Sequence, residues 1–314
     1  MSRVVTLTMN PALDLSTTVK EVVPFAKLRC SPMRRDPGGG GINVARVVCR
    51  LGADATAIYP IGGPAGEMLK RLVDHECVES LPIAIAGETR EDFSVFETET
   101  KKQFRFIAPG PKISVAECRA CLDAFESVSR TASFCVVSGS LPPGVSTEFF
   151  AEAARRANGA GCRLALDTTG DGLKAAALHE GVALVKPNQN EFAELSGAKS
   201  LAPKELVKAA RDIIAHGKIG AIALTLAEQG AILVTRTESF YARAPKVEVE
   251  STVGAGDSFL GAMLWSLSEQ CSWKDAFRFG VAAGSAALVS PGTDLAHPET
   301  IHRLLADVTI EEIT

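Results

Sequence analysis

Residues 133–167 read SFCVVSGSLPPGVSTEFFAEAARRANGAGCRLALD, and this stretch decides the class of fold. Residues 133–138 form a short apolar run that ends in Ser138-Gly139-Ser140-Leu141-Pro142-Pro143-Gly144, a loop signal. Residues 146–158 read as a helix, and 162–167 as a second strand ending at Asp167. Strand, helix and strand in that order predict a parallel pair joined by a crossover.

The same alternation extends in both directions. Toward the C-terminus, helix 171–178 precedes strand 182–186, and helices 189–196 and 203–216 precede strand 220–226. Strands 230–235 and 239–243 follow, then helices from 254, 273 and 298. Toward the N-terminus lie helix 114–129, strands 4–9 and 53–60, and helices 42–51 and 65–75. The expectation is an α/β protein whose mostly parallel sheet has helices on both faces.

Two stretches lack helices. Residues 15–22 and 27–36 look like a hairpin with Pro24 near its bend. Strand-like runs at 80–86, 92–98 and 103–108 follow later, the last two joined over Glu99-Thr100-Lys101-Lys102. They predict a small β-sheet lid, from about residues 12–36 and 88–108, inserted in a single domain spanning 1–314.

The 314 residues are 46% hydrophobic and 22% charged, with net charge −4. This predicts a soluble protein with a large core and gives no basic field for nucleic acid or anionic lipid. No apolar run is long enough for a membrane span. The N-terminus turns polar too early for a signal peptide. The eight cysteines are scattered, which favours reduced cytoplasmic thiols over a zinc site or disulfide framework.

Residues 251–263, STVGAGDSFLGAM, put a Gly-rich turn before a helix. Free N–H groups and partial positive charge at a helix start suit a phosphate. Asp257 either caps that helix or takes a proton from a hydroxyl attacking phosphorus. Asp14 follows the first strand within NPALD, as a turn residue or a grip on sugar hydroxyls. Gly38, Gly39, Gly40 and Gly41 lead into the helix carrying Asn43 and permit close ligand approach, although a Gly run alone is equally a flexible joint.

Taken with Lys186-Pro187-Asn188-Gln189-Asn190-Glu191, these motifs make the chain resemble the pfkB carbohydrate kinases, the ribokinase family. Lys27-Leu28-Arg29-Cys30, Gly38–Arg46, Arg105-Phe106, Ser138–Val145 and Phe279–Ala287 are most similar to its bacterial minor-isozyme 6-phosphofructokinase branch. The resemblance implies a ribokinase-like αβα sandwich, ATP and Mg²⁺ as cofactors, and fructose 6-phosphate as substrate. Relatives acting on tagatose 6-phosphate or fructose 1-phosphate commonly carry Lys where this chain has Gly40. A tagatose-6-phosphate kinase or 1-phosphofructokinase of the same family, a kinase of an unphosphorylated sugar or nucleoside, and a non-catalytic sugar-phosphate sensor are the other readings.

By the resemblance, Asp257 is the general base, and Gly254, Ala255 and Gly256 cradle the transferring phosphoryl group. Asp14, Asn43 and the Gly38–Gly41 backbone hold sugar hydroxyls, Lys27, Arg90 and Arg105 hold the substrate's own phosphate, and Ser140 is a further phosphate or hydroxyl contact. Lys186 reaches the nucleotide phosphates, Asn188 and Glu191 orient Mg²⁺ through water, and Thr225, Gln229 and Gly230 line the nucleotide pocket. Family members often carry Gly where this chain has Ala227. The resemblance further implies K⁺ held mostly by carbonyls around Ser251, Val253, Ala287, Ser290 and Gly292, and a homodimer formed through the lid.

Overall fold

The computed structural model describes residues 3–178, 181–197, 202–217, 219–290, 292 and 294–313. In chain order the elements begin with β1 (Arg3–Leu7), β2 (Ala12–Val19), β3 (Arg34–Gly38) and α1 (Gly40–Arg50). Next come β4 (Asp54–Ile61), α2 (Gly63–Asp74), β5 (Glu79–Ala84), β6 (Arg90–Glu97) and β7 (Gln103–Phe106). The middle comprises α3 (Val115–Ser129), β8 (Phe134–Ser138), α4 (Glu148–Gly159), β9 (Arg163–Asp167), α5 (Asp171–Leu178) and β10 (Val182–Val185). Then follow α6 (Gln189–Ser196), α7 (Pro203–His216), β11 (Ala221–Thr225), β12 (Ala231–Thr235) and β13 (Ser239–Ala242). The chain closes with α8 (Ala255–Ser268), α9 (Trp273–Leu288), α10 (Pro298–Leu305) and β14 (Ile310–Glu312).

Ten strands form the main sheet in the order β14-β13-β12-β11-β10-β9-β8-β1-β4-β5. From β5 to β11 the pairs are parallel, and β12, β13 and β14 add on antiparallel. Strand alternation divides the core in two. Val4, Ala57, Val136, Ala165 and Ala223 face a layer built on α1, α2, α8, α9 and α10. Val5, Ile58, Val137, Leu164 and Leu224 face the opposite layer, of α3, α4, α6 and α7. In the centre of the sheet both faces are buried, so strands such as β8 and β11 read as apolar runs. No helix among the described residues is long and apolar enough to cross a membrane.

The second sheet has the order β3-β2-β6-β7. Its outer pairs are antiparallel and its central pair, β2 with β6, is parallel. Thus the two excursions join strand to strand, as an independent sheet outside the main one. The expected hairpin over 15–22 and 27–36 is shorter than the sequence suggested. Its strands are Ala12–Val19 and Arg34–Gly38, and the segment carrying Lys27 between them forms no strand. Residues 79–84 pair with β4 and belong to the main sheet.

The reading of eight unpaired thiols also needs correction. Cys49 pairs with Cys77 and Cys135 with Cys162 as disulfides, with Cα atoms 5.9 and 6.3 Å apart. The members of each pair are 28 and 27 residues apart, and only the fold brings them together.

Helices α1 and α8 meet where α8 has no side chain. A Cβ on Gly261 would lie 2.9 Å from Val47 Cβ and 3.1 Å from the Val44 carbonyl oxygen. Helix propensity favours Ala over Gly by about 1 kcal/mol, whereas overpacking a filled interface costs about 1–3 kcal/mol. The backbone oxygen cannot rotate aside, so packing wins. Gly261→Ala is expected to lower the urea unfolding midpoint, with a net loss of about 1–2 kcal/mol. A midpoint at or above wild type would show that this interface has room.

Candidate active site

The parallel strands end along one edge, where open α/β sheets gather ligands. Thr8 and Asn10 follow β1, Ser138 closes β8, Asp167 closes β9, Lys186 follows β10 and Thr225 closes β11. Two helix N-termini, of α1 and α8, point into the same edge.

The turn into α1 leaves no room for side chains. A Cβ on Gly38 would collide with the Asp14 carboxylate, one on Gly40 with Ser138 Oγ, and one on Gly41 with Thr8 Oγ1. Gly39 has φ 121°, a conformation that favours glycine. Thr8 Oγ1 accepts a hydrogen bond of 3.1 Å from the Ile42 N–H and so caps the helix start. The turn into α8 repeats the device: Gly254 has φ 75°, and a Cβ there would strike Leu295.

Asp257 sits in the first turn of α8. Asn43 Nδ2 donates to its Oδ2 at 2.9 Å. Its Oδ1 faces the start of α1, 3.1 Å from where a Gly40 Cβ would lie. Burial and the nearby Asp167 carboxylate push the Asp257 carboxyl up to about 6, against Asn43, Lys186 and Arg105. Asp257 offers no side-chain cap to its own helix, so the capping role is not what holds it there.

Lys186 is buried and forms an ion pair of 3.1 Å with Asp167. Burial works against its charge, yet Asp167, Asp257 and Glu191 hold its pKa above the usual lysine value. Asn188 and Glu191 form a capping box on α6: Glu191 N–H donates to Asn188 Oδ1 at 3.0 Å, and Asn188 N–H to Glu191 Oε2 at 2.7 Å. Burial, with Asp167 adding repulsion, raises the Glu191 carboxyl.

Beside α8 opens a cavity of about 790 Å³, lined by Asn188, Thr225, Gly230, Val249, Ala255 and Gly256 among others. Its size fits a nucleotide-scale ligand. Gln229 is exposed and does not line it; its carbonyl accepts a hydrogen bond from the Tyr241 hydroxyl. Ala227, at the cavity wall, has φ 51°, the left-handed conformation that a Gly would adopt without strain.

The second sheet covers the other side. Register places Asp14 beside Asp36 and Asp92, and Ser94 beside Arg105, so these residues share one face with Arg90. Arg90 is tied back: it donates to the Asn10 and Ala108 carbonyls at 3.1 Å each and pairs with Asp92 at 3.1 Å. Arg105 is exposed, and among the described residues it has no ion-pair partner. Ser140 Oγ accepts from Asn10 Nδ2 at 3.1 Å. Lys27 is exposed in the strandless segment.

Around the expected K⁺ position, Ser251 Oγ donates to the Gly292 carbonyl at 2.7 Å, and Val253 N–H donates to Ser251 Oγ at 3.2 Å. The N–H groups of Glu250 and Ser251 both reach the Leu288 carbonyl, while Ser290 donates its N–H to Ala287. The backbone at 251–253 is thereby drawn toward Leu288 and Gly292.

Sequence reasoning passed over Thr8, Asn10, Asp92 and the buried Arg46, and gave Asp167 no role beyond a strand-end loop at the crevice. Asp167 had a signal, as a polar residue closing an apolar strand. Arg46 is a charge inside an apolar helical pattern, and only the fold reveals its partners.

An enclosed carboxylate between a cation-bearing sheet and a nucleotide-sized cavity suits transfer of a phosphoryl group. Residues 7–300 match the pfkB family of carbohydrate kinases, and the chain belongs to that family. It is 42% identical over 301 residues to the ATP-dependent 6-phosphofructokinase isozyme 2 of Mycobacterium tuberculosis, covering 96% of this chain and 88% of that one. It is 38% identical over 306 residues to the corresponding isozyme of Escherichia coli, covering 98% and 99%. The crystal structure of Escherichia coli phosphofructokinase-2 in complex with substrates and products aligns with TM-score 0.93 at 38% identity, over 97% of this chain and 99% of that one. The ribokinase-like αβα fold expected from the sequence is borne out.

Asp14 gives a test of the site's electrostatics. Burial and the neighbouring Asp92 push its carboxyl from 3.8 to about 7, against Arg105 and Arg90. The folded form therefore holds a proton that the unfolded chain releases, and stability falls as pH rises from about 4 to about 7. Asp14→Asn has no proton to lose. Its unfolding free energy, from urea titration, is expected to exceed wild type at about pH 8 by up to ~4 kcal/mol, with the gap closing near pH 4. A gap that does not change with pH would place the Asp14 carboxyl in solvent.

Proposed function

We propose that this protein transfers a phosphoryl group from ATP to fructose 6-phosphate, giving fructose 1,6-bisphosphate. The observation that carries the reading is the position of Asp257. Ala255 and Gly256 line the nucleotide-sized cavity, and Asp257, next in the chain, faces the start of α1 and the charged face of the second sheet. Donor and acceptor thus meet at the N-terminus of α8.

In this reading Asp257 accepts the proton of the sugar hydroxyl as its oxygen attacks the γ-phosphorus, and ADP leaves. A carboxyl near 6 is still mostly ionised at neutral pH, and it is a stronger base than an ordinary carboxylate. The unpaired N–H groups at Gly254–Gly256 and the α8 dipole stabilise the charge on the phosphoryl group in flight. Lys186 adds positive charge to the nucleotide phosphates. Asp14 and Asn43, with the Gly38–Gly41 backbone, hold the sugar. Arg105 takes its phosphate, with Lys27 and Ser140 as further contacts, while Arg90 shapes the site through its bonds to Asn10 and Ala108. A side chain at Gly40 would enter the space between Ser138 and Asp257, so its absence supports the 6-phosphate over substrates of relatives with Lys there.

The oxygen donors at this end suit Mg²⁺, a hard ion that keeps part of its water shell. Asn188 and Glu191 would hold it through water, beside Asp167, and the ion neutralises nucleotide phosphate charge when bound. Carbonyls brought together by the Ser251–Gly292 hydrogen bond would hold K⁺.

The second sheet supports a lid role. It closes one side of the site with a polar face, and its opposite face carries Leu15, Phe93 and Phe106, with the Phe93 and Phe106 rings stacked at 6.2 Å. Val23, Phe25, Met33 and Phe106 are exposed. Such an apolar face needs cover, and a second copy of this lid is the occupant that self-complementarity favours. Sedimentation velocity should give a dimer for wild type and a monomer for Phe25→Asp; a monomeric wild type would remove the inference.

Kinetics with fructose 6-phosphate, tagatose 6-phosphate and fructose 1-phosphate, with product analysis, test the reaction itself. Fructose 6-phosphate is expected to have the highest kcat/KM. Asp257→Asn should lower kcat by about 10²–10⁴-fold at a nearly unchanged KM for ATP. Arg105→Ala should lower kcat/KM for the sugar phosphate by about 10–100-fold, the loss of one charge-assisted contact. A folded Asp257→Asn that keeps more than roughly a tenth of wild-type kcat would end the general-base assignment.

A further inference from the structure

Behind Asp257 runs a chain of polar contacts that leaves the site and enters the interior of the α1 layer. Asn43 donates to Asp257 with its amide nitrogen, and its Oδ1 accepts from Arg46 Nη1 at 3.3 Å. Arg46 is 2% exposed, unusually deep for a guanidinium. Glu76 meets it with Oε1, 2.6 Å from Nη2 and 2.8 Å from Nε. Arg50 approaches the other Glu76 oxygen at 3.6 Å and is itself held by Asp294 at 3.4 Å and the Leu295 carbonyl at 3.3 Å. The Cys49–Cys77 disulfide joins the residue before Arg50 to the residue after Glu76.

We propose that Arg46 is a positioning residue that fixes which end of the Asn43 amide faces Asp257. The proposal rests on the reading of Asp257 as the base. An amide has one end that only donates and one that only accepts, and nothing in its shape distinguishes them. A guanidinium has donors alone, so the atom facing Arg46 is the oxygen. The NH₂ group must then face Asp257, and it can only donate. Asp257 Oδ2 is engaged as an acceptor, its charged form is favoured, and Oδ1 is left to receive the proton. With the amide reversed, an oxygen would confront the carboxylate, and the deprotonated base would be disfavoured.

Arginine, not lysine, fits the task because its planar fork reaches Glu76 and Asn43 at once. Glu76 is required because a buried guanidinium without a partner is strongly unfavourable. Arg46 lies one helical turn from Asn43, so its donor falls on the same face. It meets the sugar site only through Asn43 and does not line the nucleotide cavity, so its effect passes through Asn43.

A double-mutant cycle on the full-length enzyme tests this. Arg46→Met is expected to lower kcat about tenfold with the KM for ATP unchanged. In an Asn43→Ala background the same substitution should change kcat by less than about twofold, since no amide remains to orient. Arg46→Lys keeps a charge for Glu76 and one donor, and should lose only about threefold, again through Asn43. That variant carries the test should Arg46→Met fail to fold. Wild-type kcat in a folded Arg46→Met, or equal losses with and without Asn43, would overturn the proposal. Asp257→Asn measured in parallel separates the two readings. An active Asp257→Asn with intact Arg46–Asn43 coupling removes the base and leaves the positioning; an inactive one without coupling does the reverse.

Discussion

A hydrogen bond of 2.9 Å joins Asn43 to Asp257, residues 214 apart in the chain. It requires two helix N-termini to approach each other at one sheet edge, and each must arrive by a turn without side chains. Any Cβ at Gly40 or Gly41 would occupy the space that Ser138 and Thr8 fill, and one at Gly254 would displace Leu295. The Gly261 contact then sets how close α1 and α8 lie. Local backbone freedom and tertiary packing are thus the same requirement seen at two scales. The loops give up chain entropy on folding so that two dipoles converge on one carboxylate.

That convergence is electrostatically unfavourable before a ligand arrives. Asp14 and Asp257 are both raised by burial and by carboxylates beside them. Lys186 is buried among Asp167, Asp257 and Glu191. The two raised carboxyls reduce stability at neutral pH, and the cores on both sheet faces must offset them. The return is preorganisation: charges that would relax in water stand fixed where a phosphoryl group passes. The neutral apolar interior of the sheet and the charged strand ends are therefore complementary, since the former can hold the latter in place.

The main sheet was largely legible in the sequence, because strands buried on both faces leave uninterrupted apolar runs and crossover helices leave their own period. Residues 133–167 alone imply a parallel pair. Asp257, Asn43 and the glycines were legible because glycine marks backbone that must turn sharply. The second sheet was legible only as an absence of helices. Its central pairing is between β2 and β6, and nothing local encodes a register set by everything folded between them. Gln229 lies outside the cavity lining because a loop's neighbours in sequence need not face its cavity. Arg90 was legible as a cation, but not its engagement by the Asn10 and Ala108 carbonyls. Cysteine pairing and the Arg46–Glu76 contact likewise depend on long-range proximity.

The parallel pairing in the second sheet constrains how site and surface relate. Strand β6 can dock on β2 only after β3, α1, β4, α2 and β5 have brought the chain back, so the lid closes a loop through the main body. Its strands alternate strictly: Asp14, Asp92 and Arg105 face one way, Leu15, Phe93 and Phe106 the other. A slip of one residue would carry the apolar set over the site and the charges to the outside. The charged face over the site and the apolar outer face are therefore fixed by one register. Ordering β2 and β6 from either side orders the other, without any separate element to transmit the effect.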